Sequence, residues 1–413
     1  MTALYPDLNG LRVAIVNWRD PWHPEAGGAE RYAWEMGRGL AARGAKVSFL
    51  TARAPGQSRR DGQDGIAITR LGGRFTVYPL ALAWLLAHRR SFDAVVDCQN
   101  GIPFFTPGVL PRRVPVLCVV HHVHQAQFGV HFAPWLAWAG RMVEGPAARL
   151  AYRHHACVAV SPSTVTAMRE RLRWRGDIYL VPNGVPPPPQ AAASRRSLVM
   201  VGRLVAHKRA ERILPIAERL GRGGLAVDVV GRGPESAALA ADVAARGLTG
   251  TVQLHGFLPE AEKQAIVSGA LLHLSTSQGE GWGLCVLEAA AAGVPTVAYD
   301  VAGLHDAVRD GELIEEVTER AVTELADPAR RAAVAAACRA WAAQFSWDWS
   351  AARMAALISA SVRTGTSRAG RAGAWVVSGG AVAEGPVLDL LLRQGATLLR
   401  PATAMEHLLG RTP

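Results

Sequence analysis

The chain has 413 residues, too many for one ordinary hydrophobic core, and so should fold as two or three domains. Hydrophobic residues make up 49% and charged residues 19%, which excludes a wholly disordered chain. The net charge of +11 and a pI of about 10.1 favour anionic partners: nucleotide phosphates, nucleic acid or an acidic membrane surface. There is no dense Lys/Arg block and no nucleic-acid-binding signature, so most arginines read as decoration of exposed helices and no nucleic-acid partner is expected.

Short apolar runs alternate with helical patterns from the start. Arg12–Asn17 reads as a buried strand, Ala29–Arg43 as a helix and Lys46–Leu50 as the next strand. Further strands are expected at Ala94–Asp97, Val114–Val120 and Cys157–Val160. Repeated strand–helix–strand units mark a parallel sheet covered on both faces. The pattern pauses at Val181–Pro189, whose four consecutive prolines cannot continue a helix or a central strand. With the small and polar Gln190–Ser197 this reads as an interdomain linker. The alternation restarts at Leu198–Val201 and continues through Ala226–Val230, Thr251–His255, Leu271–Leu274 and Pro295–Tyr299, giving a second sheet of the same kind. Two such domains would leave a cleft between the carboxyl ends of their strands, where ligands bind. Phe345–Val362 reads as a helix, Thr364–Gly373 as a flexible Gly/Ser/Arg-rich stretch, and Ala374–Pro413 carries no interpretable motif.

Five chemical signals lie on this frame. Gly27 and Gly28, between the first strand and helix, let backbone pass close to a ligand and precede a helix N-terminus that attracts anions, though a tight turn would look the same. His121, His122 and His124 follow a strand; neighbours on an extended segment point apart, so all three rarely converge on a metal. Gly202, Arg203, Lys208 and Arg209 sit after the first strand of the second domain and suit a diphosphate, or form a solvated basic helix start. Gly231-Arg232-Gly233 lacks the third glycine of a dinucleotide fingerprint and reads better as a loop beside a nucleotide. The strongest signal is QGEGWGLCVLEAA at Gln278–Ala290. Glu280 and Glu288 have seven residues between them, the first in a glycine-rich loop, the second about one turn inside a helix starting near Gly283 or Leu284. One carboxylate can then reach a sugar hydroxyl and the other a ribose, with N–H groups between them facing a phosphate.

Absences narrow the class further. No GxxxxGK[ST] loop, no Asp-x-Asp pair and no G-x-S-x-G elbow occurs, which disfavours a P-loop ATPase, a metal-bridged diphosphate site and a serine hydrolase. The five cysteines (Cys98, Cys118, Cys157, Cys285 and Cys338) are odd in number and form no CxxC pair, as expected of buried thiols in a reducing compartment. The N-terminus lacks signal-peptide character, and no uncharged apolar run reaches the roughly 18 residues that span a bilayer. The expected location is cytoplasmic, with scope for peripheral contact with the membrane's inner face.

In this order, GGAER at Gly27–Arg31, VSPST at Val160–Thr164, VPNGV at Val181–Val185, GRLVAHKR at Gly202–Arg209 and the acidic pair resemble the retaining glycosyltransferases of family 4. The resemblance covers roughly Leu11 to Met354. It implies a GT-B fold: two Rossmann-like domains with parallel sheets facing across a central cleft. The implied domains are an acceptor domain over 1–185, a donor domain over 186–345, a crossover helix over 346–362 and an extension over 363–413. It further implies that Glu280 holds donor-sugar hydroxyls, Glu288 holds the ribose, and Arg203 with Lys208 clamps the diphosphate. Gly27 and Gly28 would close over the phosphates, and His121 would touch the sugar near the reacting carbon, with His122 and His124 as competitors for that role. Gly202, Gly231, Gly281, Trp282, Gly283 and Leu284 would line the donor.

The expected reaction is metal-independent transfer of a sugar, with retention, from a UDP- or GDP-sugar to a small-molecule or lipid-linked acceptor. No cofactor is expected. A nucleotide-sugar epimerase or phosphorylase-like enzyme on the same fold, and a non-catalytic nucleotide-sugar-binding partner subunit, are the rivals. The acceptor surface is expected around His131–Trp138 (HFAPWLAW), whose apolar residues read first as plain core and otherwise as a dock for a lipid-linked acceptor or a membrane.

Overall fold

The computed structural model describes residues 6–131, 133–186, 195–299, 301, 314–364, 377–378 and 381–382. The chain divides into two compact units: one runs to Gly184 and resumes at Trp347, the other is Val185–Ser346. Residues 187–194, the middle of the expected linker, and nearly all of the expected C-terminal extension lie outside the described residues.

Unit 1 holds an eight-stranded sheet: β1 (Arg12–Val16), β2 (Lys46–Thr51), β3 (Arg60–Gln63), β4 (Ile66–Arg70), β5 (Ala94–Gln99), β6 (Val116–Val120), β7 (Ala156–Ala159) and β8 (Ile178–Leu180). The order is β3-β4-β2-β1-β5-β6-β7-β8, parallel throughout except where β3 pairs antiparallel with β4. The strands read from continuous apolar runs are all present within two residues of their expected ends. β3, β4 and β8 were not expected. β3 (RDGQ) is exposed along its length and β4 alternates buried with exposed positions, so neither forms a continuous apolar run. β8 has only three residues.

The helices of unit 1 are α1 (Gly28–Ala41), α2 (Val77–Ala87), α3 (Gln125–His131), α4 (Pro134–Met142), α5 (Ala148–Ala151) and α6 (Pro162–Glu170). A π-helical turn at Val143–Ala147 joins α4 to α5. Alternate strand residues such as Ala14, Val16, Leu50, Val116 and Cys118 pack with Val77, Ala81 and Leu85 of α2, Ala148 of α5 and Val165 and Met168 of α6. α1 covers the other face, where Gly37 lies against Ile15, Val47 and Ile66. The VSPST segment starts α6: the Ser161 hydroxyl accepts the Thr164 N–H at 2.9 Å and Pro162 occupies the first turn.

Unit 2 holds β9 (Ser197–Val201), β10 (Ala226–Val230), β11 (Val252–Gly256), β12 (Leu272–Ser275) and β13 (Thr296–Ala298), all parallel, in the order β11-β10-β9-β12-β13. Its helices are α7 (Leu214–Gly221), α8 (Ser236–Ala245), α9 (Glu260–Gly269), α10 (Leu284–Ala291), α11 (Ile314–Glu324) and α12 (Pro328–Ala342). Leu198, Met200, Val227 and Leu272 pack with α7 and α8 on one face, whereas Val199 and Val230 meet Ile266 of α9 and Ala289 of α10 on the other. The final long helix, α13 (Trp347–Thr364), belongs to unit 1 and packs against α1. Gly39 of α1 meets Ala351 so closely that an added Cβ would collide with it, and Arg43 binds Asp348 at 2.8 Å. Val377–Ser378 and Ala381–Val382 form a short antiparallel pair. No described helix is long and apolar enough to cross a membrane.

Candidate active site

In unit 2 the loops at the carboxyl ends of β9 and β12 are stitched together. Residues Ala206–Lys208 form one turn of 3-10 helix, and Arg209 ends it in a left-handed conformation. The Thr276 hydroxyl donates to the Lys208 carbonyl at 2.7 Å, Arg209 Nε donates to the Thr276 carbonyl at 3.1 Å, and the Gln278 N–H donates to the His207 carbonyl at 2.9 Å. The Arg209 guanidinium lies 4.5 Å over the Tyr299 ring. These bonds bring two sequence signals 72 residues apart onto one carboxylate. Lys208 Nζ pairs with Glu280 Oε1, and the Ser277 hydroxyl donates to the same oxygen at 2.6 Å. Burial alone would raise the Glu280 carboxyl, but the charge and hydrogen bond of Lys208, with Ser277 and the His207 charge, hold it below its ordinary value. Glu280 is therefore an anion at neutral pH, and Lys208 its fixed counter-charge.

Glu288 stands in α10, which starts at Leu284 behind Gly283; Gly283 has a φ of 68°, which a side chain would strain. Lys263 of α9 binds Glu288 Oε2 at 3.0 Å and Glu260 at 3.0 Å. Burial would lower the Lys263 ammonium, yet Glu288, Glu260 and Cys285 together raise it. Nothing in the sequence singled out Lys263, because a lysine three residues after a glutamate on a helix reads as an ordinary surface pair. Arg203 is exposed and makes no ion pair among the described residues.

The Gly231-Arg232-Gly233 loop has a structural reason. The Gly202 N–H donates to the Val230 carbonyl at 3.0 Å and the Leu204 N–H to the Arg232 carbonyl at 3.0 Å. A Cβ on Gly231 would collide with the Gly202 carbonyl, and one on Gly233 with the Leu204 carbonyl. The glycines let the two strand-end loops run side by side. Trp282 is buried; its ring meets Phe345 edge-on at 5.2 Å, and Phe345 meets Trp341 at 5.0 Å. This packing anchors the glycine loop, while the Trp282 indole N–H has no partner among the described residues. Gly281 lies in that same loop, between Glu280 and Trp282.

In unit 1 the three histidines separate. His121 is buried at the end of β6, edge-on to the Tyr32 ring of α1 at 5.1 Å. Tyr32 is fixed by its hydroxyl, which donates to the Val181 carbonyl at 3.1 Å. His121 Nε2 has no hydrogen-bond partner among the described residues. Burial, with a smaller effect of the His124 charge, pushes the ring down to about 3, so it stays neutral at physiological pH. His122 and His124 turn toward each other, with ring centroids 5.2 Å apart, and the His124 N–H donates to the buried Glu144 at 2.6 Å. Gly27 is the extended N-cap of α1, and its N–H donates to Glu30 Oε2 at 2.8 Å; Gly28 is exposed. The loop before them is anchored by a buried ion pair, Asp20 to Arg70 at 2.5 Å. The expectation that HFAPWLAW is core is corrected. Phe132 lies outside the described residues, Ala137 is buried, but Trp135 and Trp138 project into solvent because the apolar residues of α4 extend around its outer face.

Residues 26–187 match the model of Glycosyltransferase Family 4, and residues 187–332 that of Glycosyl transferases group 1. A D-inositol 3-phosphate glycosyltransferase from Xylanimonas cellulosilytica is 27% identical over 84% of this chain and 96% of its own. Another, from Thermobispora bispora, is 37% identical over 41% of this chain and spans only 46% of that relative. Among solved structures, a sucrose-phosphate synthase from Thermosynechococcus elongatus shares 20% identity with a TM-score of 0.69, over 84% of this chain and 98% of that one. HepE from Anabaena, solved in complex with UDP and glucose, shares 17% with a TM-score of 0.64, over 84% and 99%. With two parallel α/β units of the GT-B kind and both halves matched in order, the chain belongs to the glycosyltransferases of family 4, group 1.

Proposed function

We propose that the chain transfers a sugar from a nucleoside-diphosphate sugar to an acceptor hydroxyl, with retention at the anomeric carbon and without a metal. The observation that carries this reading is the Lys208–Glu280 pair, held on two loops at the carboxyl ends of one parallel sheet. A half-buried lysine with an exposed Arg203 nearby in sequence suits the diphosphate, whose negative charge grows as the bond to the sugar breaks. The N-terminus of α10 adds N–H groups and a positive dipole end. Glu280 takes the sugar hydroxyls and Glu288 the ribose, each steadied by its own lysine.

In the proposed step the bond from the anomeric carbon to the diphosphate oxygen breaks and the acceptor oxygen bonds the same face. The acceptor proton passes to the leaving phosphate. No enzyme carboxylate then has to act as nucleophile. His121, neutral and with Nε2 unpartnered, takes a hydrogen bond role toward the transferred sugar. A UDP- or GDP-sugar is the proposed donor; the HepE complex, which holds UDP, favours uridine. The acceptor is a small molecule or a lipid-linked one.

Thermal unfolding with UDP, GDP, ADP and dTDP, with and without chelator, tests the donor site. One nucleotide should raise the melting temperature in a saturable way that chelator does not change. No shift at millimolar concentration with any of them would sink the reading. Release of nucleoside diphosphate only when an acceptor is present separates transfer from epimerisation. The anomeric configuration of the product, read by NMR, tests retention.

A further inference from the structure

The outer face of the path from α4 through the π-turn to α5 is apolar and unpartnered among the described residues. Trp135 is 72% exposed, Trp138 63% and Leu150 64%, with Leu136 and Met142 also exposed. Trp135, Trp138 and Met142 fall at helical spacings of three and four, so they share one stripe of α4. The buried side of that helix is Ala137. Two exposed tryptophans within four residues are unusual on a free surface, where large aromatics are rare.

Along the chain, the charge flanking this stripe is mainly positive. From Cys98 to Arg169 the only acidic residue is Glu144. Glu144 is buried and accepts from the His124 N–H and, at 2.9 Å, from Gln125 Nε2, so it adds no exposed negative charge. Arg141 and Arg153 are exposed on the same path, and Arg112 and Arg113 on the loop before β6. α2, packed on the same face of the sheet, exposes Leu80 and Leu86 and is followed by exposed Arg89 and Arg90.

We propose that this face docks on a membrane surface rich in anionic phospholipid. Tryptophans prefer the interface between headgroup and acyl chain, where the ring is apolar and the N–H stays wet. Arginines beside them meet lipid phosphates and are drawn by the negative surface potential. A second copy of this chain fits less well, since two such faces would oppose like charge across their contact. The proposal uses none of the donor residues Arg203, Lys208, Glu280 and Glu288, which lie in unit 2.

The test is co-sedimentation of the full chain with vesicles of phosphatidylcholine alone and of phosphatidylcholine mixed equally with phosphatidylglycerol. The chain should pellet with the anionic vesicles, its tryptophan emission should shift to the blue, and binding should weaken as salt is raised. Trp135→Ser with Trp138→Ser should cut partitioning by about tenfold or more, and Arg141→Glu should cut it on anionic vesicles. Both should unfold like the parent and keep the nucleotide response. Should the double variant fail to fold, Arg141→Glu alone decides. No pelleting, equal binding to both vesicle types, or unchanged binding by the variants would overturn the proposal. So would a concentration-dependent dimer that the tryptophan variant dissociates.

Discussion

The two units share an architecture of parallel strands between helices, yet their strand ends carry different chemistry. In unit 1 several charged groups in and just beyond the strands are buried and locked to neighbours. Asp20 binds Arg70, and Asp97 accepts from Tyr152 at 2.5 Å and from the Thr106 hydroxyl at 2.8 Å. Among the described residues, the strand-end atoms left open there belong to neutral groups: Thr51 Oγ1, Asn183 Oδ1 and His121 Nε2. Unit 2 instead carries two half-buried ion pairs, Lys208–Glu280 on two strand-end loops and Lys263–Glu288 between α9 and α10. The contrast teaches that the same fold can hold charge ready for a ligand or spend it on fixing its own loops. Paired charge at partial burial keeps its ionisation, whereas a fully buried single histidine gives it up.

The largest expected effect breaks the locked side. Asp20→Ala leaves Arg70 buried without its main counter-charge and should cost about 3–5 kcal/mol of stability, read by urea unfolding. A cost near zero would show that the pair does not anchor the loop. Next, Lys208→Met removes the cation from Glu280 and from the proposed leaving group. Turnover should fall by roughly 10²–10³, measured as nucleoside diphosphate release, with a smaller change in stability. Glu288→Ala is expected to weaken nucleotide binding by about 1.5–3 kcal/mol, the range for hydrogen bonds to a charged group, while sparing the fold. An unchanged nucleotide affinity by calorimetry would remove Glu288 from the ribose role.

The smallest effect at neutral pH sharpens the contrast. The His121 ring is held down to about 3 in the folded chain against the usual 6.5. The unfolded chain therefore binds the proton more readily, and the folded state loses stability as pH falls below 6.5 toward 3. At pH 7 and above the term vanishes. His121→Gln should leave stability at pH 7.5 nearly unchanged and flatten its fall between pH 6 and 4. A parent chain whose unfolding free energy shows the same acid slope as the variant would mean that His121 is not the buried neutral group described here.

Much of the molecule was legible in the sequence by itself. Continuous apolar runs located the central strands, because a strand buried on both faces has no polar side to show. The spacing of Glu280 and Glu288 placed one in a loop and one inside α10, because glycine at 283 can adopt the left-handed turn that starts the helix. What the tertiary structure decided is which distant residues share a partner. Lys208 meets Glu280 only through the bonds between two strand-end loops, Lys263 reaches Glu288 only because α9 and α10 cover the same face of the sheet, and His121 packs on the ring of Tyr32 while His122 and His124 face each other. The edge hairpin of β3 and β4 and the outward turn of Trp135 and Trp138 were likewise settled by packing. Periodicity reports which residues share a face of one element. Whether that face meets another element or the solvent is fixed by the neighbours that pack beside it.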